Sequence, residues 1–321
     1  KNRGNCFRKI QRKKGGRKME VLLQLTLLVV GFVMLIKGAD WFVDGVSGIA
    51  EKFGIPQLVI GLTIVAMGTS APEAAVSITA AIKGNAGITI GNILGSNIMN
   101  VFVILGITSV ITAIAVQNST IRIELPFMIG ISIILLACGM TGNTITRVEG
   151  ILLWGFFLVY LGYLFQAAKQ GITEQPEEEK QERIGKLILT GVIGMILIIV
   201  GSDVTVDAAT ALATIFGMSE RFIGLTIVAF GTSLPELVTS VIAARKGKAD
   251  IAVGNIVGSN IFNVLFVVGT TALIVPVPFS SEFLIDGIIT ILAGILLWMC
   301  VWKKKLLTRW GGCLMLVGYL V

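Results

Sequence analysis

Glu73 and Glu236 are the side chains of this sequence best suited to chemistry. Each is a carboxylate in an otherwise apolar stretch, and each ends the same short string, Gly-Thr-Ser-x-Pro-Glu. The likeness runs much further. Residues 61–106 (GLTIVAMGTSAPE … GNILGSNIMNVFVILG) return at 224–269 (GLTIVAFGTSLPE … GNIVGSNIFNVLFVVG) at a constant offset of 163, without a gap, and with 28 of 46 positions identical. Carboxylates at membrane depth are costly and usually functional. Two of them at matching places of a duplicated chain point to one cation site built by both halves.

The neighbours of each glutamate are oxygen donors. Ala66, Thr69, Ser70 and Glu73 lie at i, i+3, i+4 and i+7, so in a helix they share one face. Pro72 lacks an N–H and Gly68 eases unwinding, which predicts a kinked span. Irregular backbone at membrane depth is tolerated only where it is buried or lines a cavity. Ala229, Thr232, Ser233, Pro235 and Glu236 repeat the arrangement. The following span adds Gly91, Asn92, Gly95, Ser96, Asn97 and Asn100, matched by Gly254, Asn255, Gly258, Ser259, Asn260 and Asn263. The GxxxG spacing lets two helices approach closely. Asn92, Ser96 and Asn100 form a polar stripe. Hydroxyl, amide, carboxylate and carbonyl oxygens suit hard cations, of which Ca²⁺ takes 6–8 such ligands, and Na⁺ accepts the same set. Taken singly, each feature has a structural explanation, such as a hydroxyl bonding its own backbone or a glycine packing against a neighbour. The whole set occurring twice at one offset argues for function.

Other chemistries lack their parts. The chain has no histidine, which excludes a histidine metal site or proton relay. It has no GxSxG or HExxH for a serine or zinc enzyme, and no Walker motif. Neither an enzyme nor a cofactor is expected. Cys6, Cys138, Cys300 and Cys313 are scattered and read as small packing residues.

The elements that must position these groups are membrane helices. Of 321 residues, 55% are hydrophobic and only 14% charged, against roughly a quarter charged in soluble domains. Apolar runs of about 20 residues recur along the chain. Ten transmembrane helices are expected, at about 21–46, 56–82, 87–113, 124–141, 148–167, 187–213, 222–244, 250–275, 283–301 and 305–321, with ends good to roughly 2–4 residues. The expected fold is an all-α polytopic membrane protein of two five-helix repeats, 19–167 and 187–321, joined by a polar linker at 168–186. An odd number of spans per half makes the repeats inverted. Lys and Arg number 13 in the odd loops and three in the even ones, so the positive-inside rule puts the linker in the cytoplasm and both termini outside a cell membrane. Residues 1–18 hold nine of the 26 Lys and Arg. This basic extension is set apart from the fold, and the net charge of +7 is therefore no sign of a nucleic-acid partner.

The paired motifs GTSAPE with GNILGSN and GTSLPE with GNIVGSN resemble the two α-repeats of the calcium/cation antiporter superfamily, most nearly the prokaryotic sodium/calcium exchangers. The resemblance covers nearly the whole chain. It implies ten helices in two inverted halves, with ions held between the second, third, seventh and eighth spans. The implied ligands are the Ala66 carbonyl, Thr69, Ser70, Glu73, Ser96 and Asn100 from the first half. The second half supplies the Ala229 carbonyl, Thr232, Ser233, Glu236 and Ser259, with Asn263 at a position where some exchangers carry aspartate.

The implied activity is secondary antiport of Ca²⁺ against Na⁺ by alternating access, with membrane lipid as the surrounding medium. Two ionised glutamates give the site two negative charges. One Ca²⁺ cancels them, as do two protons, whereas three Na⁺ leave one positive charge over. H⁺- or K⁺-linked exchange through the same site is the alternative, and a cation channel a more distant one. Asp40 and Asp44, matched by Asp203 and Asp207, are placed to line an ion entrance or to satisfy interfacial groups, with Lys37 the expected partner of the first pair.

Overall fold

Long apolar runs without internal caps fold as helices, because in lipid the backbone must satisfy its own polar groups. The computed structural model describes residues 2–171, 183–218 and 229–320, with side chains at 18–170, 183–218 and 230–320. Helix α1 is Asn2–Phe53. Helices α2, Gln57–Thr69, and α3, Ala71–Ile82, form one apolar segment bent by 48°. Then come α4, Gly87–Ile111, α5, Thr120–Met140, and α6, Arg147–Gly171. The second half has α7, Ile184–Ile215, α8, Ala229–Thr232, α9, Leu234–Arg245, and α10, Ala249–Ile274. It closes with α11, Phe283–Trp302, and α12, Arg309–Leu320. Seven of these helices are long and apolar enough to cross a membrane, eight if the bent pair is one span.

The described helices lie on the expected spans, though seven or eight rather than ten are long and apolar enough to cross a membrane, and several ends shift by about four residues or more, α6 ending at Gly171 and α12 starting at Arg309. α1 passes the expected end near 46 and carries Glu51 and Lys52, because its stop signal is Gly54 at φ +63° followed by Pro56. Likewise α5 starts at Thr120 rather than near 124. Residues 222–228 of the expected seventh span, and most of the expected linker, lie outside the described residues. The basic extension continues α1 as helix from Asn2.

Contacts repeat across the molecule with the halves exchanged. Asn97 and Asn260, one offset apart, each donate from Nδ2 to the other's backbone carbonyl, at 3.3 and 3.2 Å. Arg147 donates to the Ile274 carbonyl and Arg309 to that of Ile111. Two short antiparallel ladders follow the same rule: β1, Ile114–Ala115, pairs with β4, Leu306–Leu307, while β2, Thr144–Ile145, pairs with β3, Val277–Pro278.

The most extensive helix contact joins α1 and α7. Gly31 faces Gly201, Gly38 faces Gly194 and Gly45 faces Leu187 and Gly191. One number rises as the other falls, so these equivalent helices run antiparallel. A Cβ on Gly38 would come within 2.8 Å of the Gly194 carbonyl, so only glycine allows this approach. Both helices expose large apolar side chains on their outer faces, including Leu22, Val29 and Val33 of α1 and Ile188, Leu189 and Val192 of α7. α10, by contrast, is buried along nearly its whole length, and α4 along most of it. The polar motifs thus sit at the centre, and the apolar belt lies outside.

Candidate cation site

The two glutamates occupy the same local structure. Ser70 interrupts the helix at φ −83°, ψ 7° and caps α3, whose first turn carries Pro72 and Glu73. Ser233, at φ −91°, ψ 4°, caps α9, with Pro235 and Glu236 in its first turn. Proline is tolerated there because first-turn N–H groups have no helical partner anyway. A helix N-terminus also favours negative charge. Each carboxylate therefore starts a half-helix in the interior of the molecule.

Both glutamate side chains are 0% exposed. Ser70 donates to Glu236 Oε1 at 2.9 Å, and Ser233 lies 3.5 Å from Glu73 Oε1. Each serine thus serves the carboxylate of the other half. Ser96 of α4 donates to Glu73 Oε1 at 3.3 Å and lies 3.4 Å from Ser233. The other oxygen of each carboxylate, Oε2, is buried without a partner, as are Oδ1 of Asn100 and Oδ1 of Asn263. Four orphaned acceptor oxygens at two carboxylates and two equivalent asparagines match the donor set of a hard cation. A buried polar group without a partner is costly, and the arrangement is stable once a cation or protons share these oxygens.

The remaining expected ligands are placed as follows. Ser259, fully buried, donates to the Ala66 carbonyl at 3.4 Å. Thr69 donates to Asn255 Oδ1 at 2.9 Å, with the Val65 carbonyl as alternative acceptor at 3.1 Å. Asn100 and Asn263 donate from Nδ2 to Oδ1 of Asn260 and of Asn97, at 2.9 and 3.1 Å. Thr232 is half-buried at the end of α8. The Ala229 side chain lies outside the described residues, although its backbone opens α8. Irregular helix accompanies the cluster. The π-helical segment Gly61–Val65 leads into Ala66, and the π-helical segments Asn100–Leu105 and Asn263–Val268 begin on the two asparagines. Such segments gather at functional sites.

Asparagines outside the implied ligand set hold the cluster together. Asn92 donates to the Glu73 carbonyl at 3.2 Å and to Ser77 at 2.9 Å. Asn255 does the same for the Glu236 carbonyl, at 3.3 Å, and Ser240, at 3.0 Å. Asn97 and Asn260 bridge the halves. Their identity in both copies was the available signal.

Asp40 and Asp44 do not pair with Lys37. Their partner is Lys246, at 2.6 and 2.7 Å, just past the end of α9. Partial burial pulls the Lys246 ammonium down, but its hydrogen bonds to the two aspartates outweigh this and hold it above the usual lysine range. Lys248 pairs with Glu51 beside it. A contact between segments 200 residues apart has no local spacing to betray it. The offset maps Lys246, Asp40 and Asp44 onto Lys83, Asp203 and Asp207. All three are exposed, and no ion pair among the described residues joins Lys83 to either aspartate.

The chain has relatives among known proteins. A family model described as sodium/calcium exchanger protein matches residues 23–166 and 186–321. The sodium/calcium exchanger MaX1 of Methanosarcina acetivorans is 31% identical over 342 residues, covering 93% of this chain and 97% of that protein. The inner membrane protein YrbG of Escherichia coli is 36% identical over 292 residues, covering 87% and 90%. A solved structure of the sodium-calcium exchanger NCX_Mj superposes with a TM-score of 0.82 at 30% identity, covering 94% of this chain and 97% of its own.

Proposed function

The chain belongs to the sodium/calcium exchanger protein family, and from that premise we propose that it exchanges Ca²⁺ for Na⁺ through one central site, by alternating access, between two inverted five-span halves, 19–167 and 187–321. Ca²⁺ and Na⁺ are the transported substrates. Glu73 and Glu236 carry the binding charge. Ser70, Ser96, Ser233, Asn100, Asn263 and the Ala66 carbonyl supply neutral oxygens, and Thr69, Thr232, Ser259 and the Ala229 carbonyl complete the set. The observation that carries this reading is the crossed pairing of buried carboxylates and serines from opposite halves, each carboxylate keeping one unpartnered oxygen.

The inverted arrangement is supported by the antiparallel run of α1 against α7 and by the exchanged contacts of the asparagines, arginines and short strands. With the linker in the cytoplasm, Lys246 lies on the cytoplasmic side and Lys83 outside. Lys246 then ties α1 to the end of α9 on one side of the membrane, while its counterparts stand apart on the other. A transporter closed on one face and open on the other requires such an asymmetry. We assign the movement to α1 and α7, which slide together across the central helices. Two uncompensated carboxylates in a low dielectric keep the empty site from crossing, and this enforces exchange rather than free flow.

The test is Ca²⁺ uptake into proteoliposomes under imposed Na⁺, K⁺ or H⁺ gradients, with the voltage clamped by ionophore. An outward Na⁺ gradient is expected to drive uptake, and an inside-negative potential to oppose it if three Na⁺ leave per Ca²⁺. Uptake driven only by a proton or potassium gradient contradicts Na⁺ coupling. Uptake that saturates with neither ion and needs no counter-ion contradicts antiport.

A further inference from the structure

A fourth π-helical segment among the described residues, Thr120–Glu124, lies outside the central cluster and opens α5. It ends on a buried carboxyl. Glu124 is 1% exposed. Tyr163 of α6 donates a hydrogen bond to its Oε1, and its Oε2 has no partner. Thr120, one turn earlier and also 1% exposed, sets its hydroxyl beside the same carboxyl without closing a hydrogen bond. The surroundings offer no counter-charge. Arg122 on the same turn is exposed, and no ion pair among the described residues reaches Glu124. From the neighbouring helices come Tyr160 and Tyr163 of α6, the Trp298 indole of α11, which donates to the Ile121 carbonyl at 2.7 Å, and Asp250 of α10, already bound to Gln117 at 2.6 Å. The matching helix of the second half differs: α11 is α-helical throughout, and Asp286 in its first turn is only half-buried.

An ionised carboxylate buried without a counter-charge is expensive, and one phenol hydrogen bond does not offset it. The open oxygens are Glu124 Oε2 and Thr120 Oγ1, far short of the 6–8 that Ca²⁺ takes. A proton needs only these two. We propose that Glu124 is a proton-binding site, separate from the central cation cluster. The carboxylate takes one proton from water at the exposed residues Gln117 and Asn118, just ahead of α5, and the resulting acid donates its O–H to Thr120 Oγ1. Tyr163 positions the carboxyl. Tyr160, one turn earlier on α6, reaches toward the transport helices, its hydroxyl lying 3.5 Å from the Leu62 carbonyl in the π-helical segment before Ala66.

The test is infrared difference spectroscopy of the full-length protein in lipid across a pH titration at fixed Na⁺ and Ca²⁺. A carbonyl band of a protonated carboxylic acid is expected to appear as pH falls. It should be present in wild type and in Glu73→Gln, lost in Glu124→Gln, and displaced in pH by Tyr163→Phe. If Glu124→Gln does not fold, Glu124→Asp serves, and it should move the band. A band unchanged by every substitution at Glu124 overturns the proposal. So does a Glu124 band that is constant over the whole pH range, and so does one that follows Na⁺ or Ca²⁺ concentration at constant pH. Because the readout is not transport, failure here leaves the Na⁺ coupling untouched.

Discussion

At the residue scale, the interior polar groups divide into those that bind and those that hold. Glu73, Glu236, Asn100 and Asn263 keep an oxygen free, whereas Asn97 and Asn260 donate from their amides to each other's backbone carbonyl. Asn97→Leu therefore strands the Nδ2 of Asn263, which donates to Asn97 Oδ1, and removes the bond to the Asn260 carbonyl. An orphaned buried donor costs about 1–3 kcal/mol, so the unfolding midpoint in detergent should fall clearly. Asn97→Leu combined with Asn263→Leu should cost less than the two losses added, since both members of that side-chain hydrogen bond are then gone. A melting curve equal to wild type would remove the bridging role. The carboxylates and their hydroxyl neighbours were legible in the sequence because acidic residues inside apolar runs are rare. The bridging asparagines were visible only as letters repeated in both copies, because amide partners across 163 residues leave no local spacing. Glu124 occurs once, without a matching motif, and nothing short of its burial marks it.

At the element scale, the half-helices beginning at Ser70 and Ser233 follow from serine before Ala-Pro-Glu or Leu-Pro-Glu: proline placed in a first turn ends the helix before it and starts the next. The kink was thus readable, and so was the position of the seven helices long and apolar enough to cross a membrane. The ends were not. Glycine and proline stop α1 later than the last apolar run does, and the π-helical segments have no sequence rule. The clamp between α1 and α9 also escaped the reading, because Lys246 and Asp44 meet only in the folded chain. A part-exposed ion pair contributes about 0–1 kcal/mol to stability. A large effect on turnover would therefore come from its place in the transport cycle. Lys246→Asp is expected to slow exchange by about two- to fivefold, about 0.4–1 kcal/mol in activation free energy. Adding Asp44→Lys should restore much of the rate. Wild-type turnover in Lys246→Asp would show that the clamp is an ordinary surface contact.

At the scale of the whole molecule, α1 and α7 run antiparallel, the acidic half-helices meet through their crossed serines in the buried interior, and large apolar side chains face outward. Composition and the long apolar runs made the helical membrane architecture legible, since both report the bilayer's demand on the backbone. Which ions pass depends on charge balance at the centre, and there equilibrium binding is the most direct measurement. Radioactive Ca²⁺ should bind the purified protein at one saturable site per chain and be displaced by Na⁺. Glu73→Gln and Glu236→Gln, each still melting as a folded protein, should both lose that binding. Ca²⁺ bound at wild-type affinity by either variant would contradict a site shared by the two carboxylates.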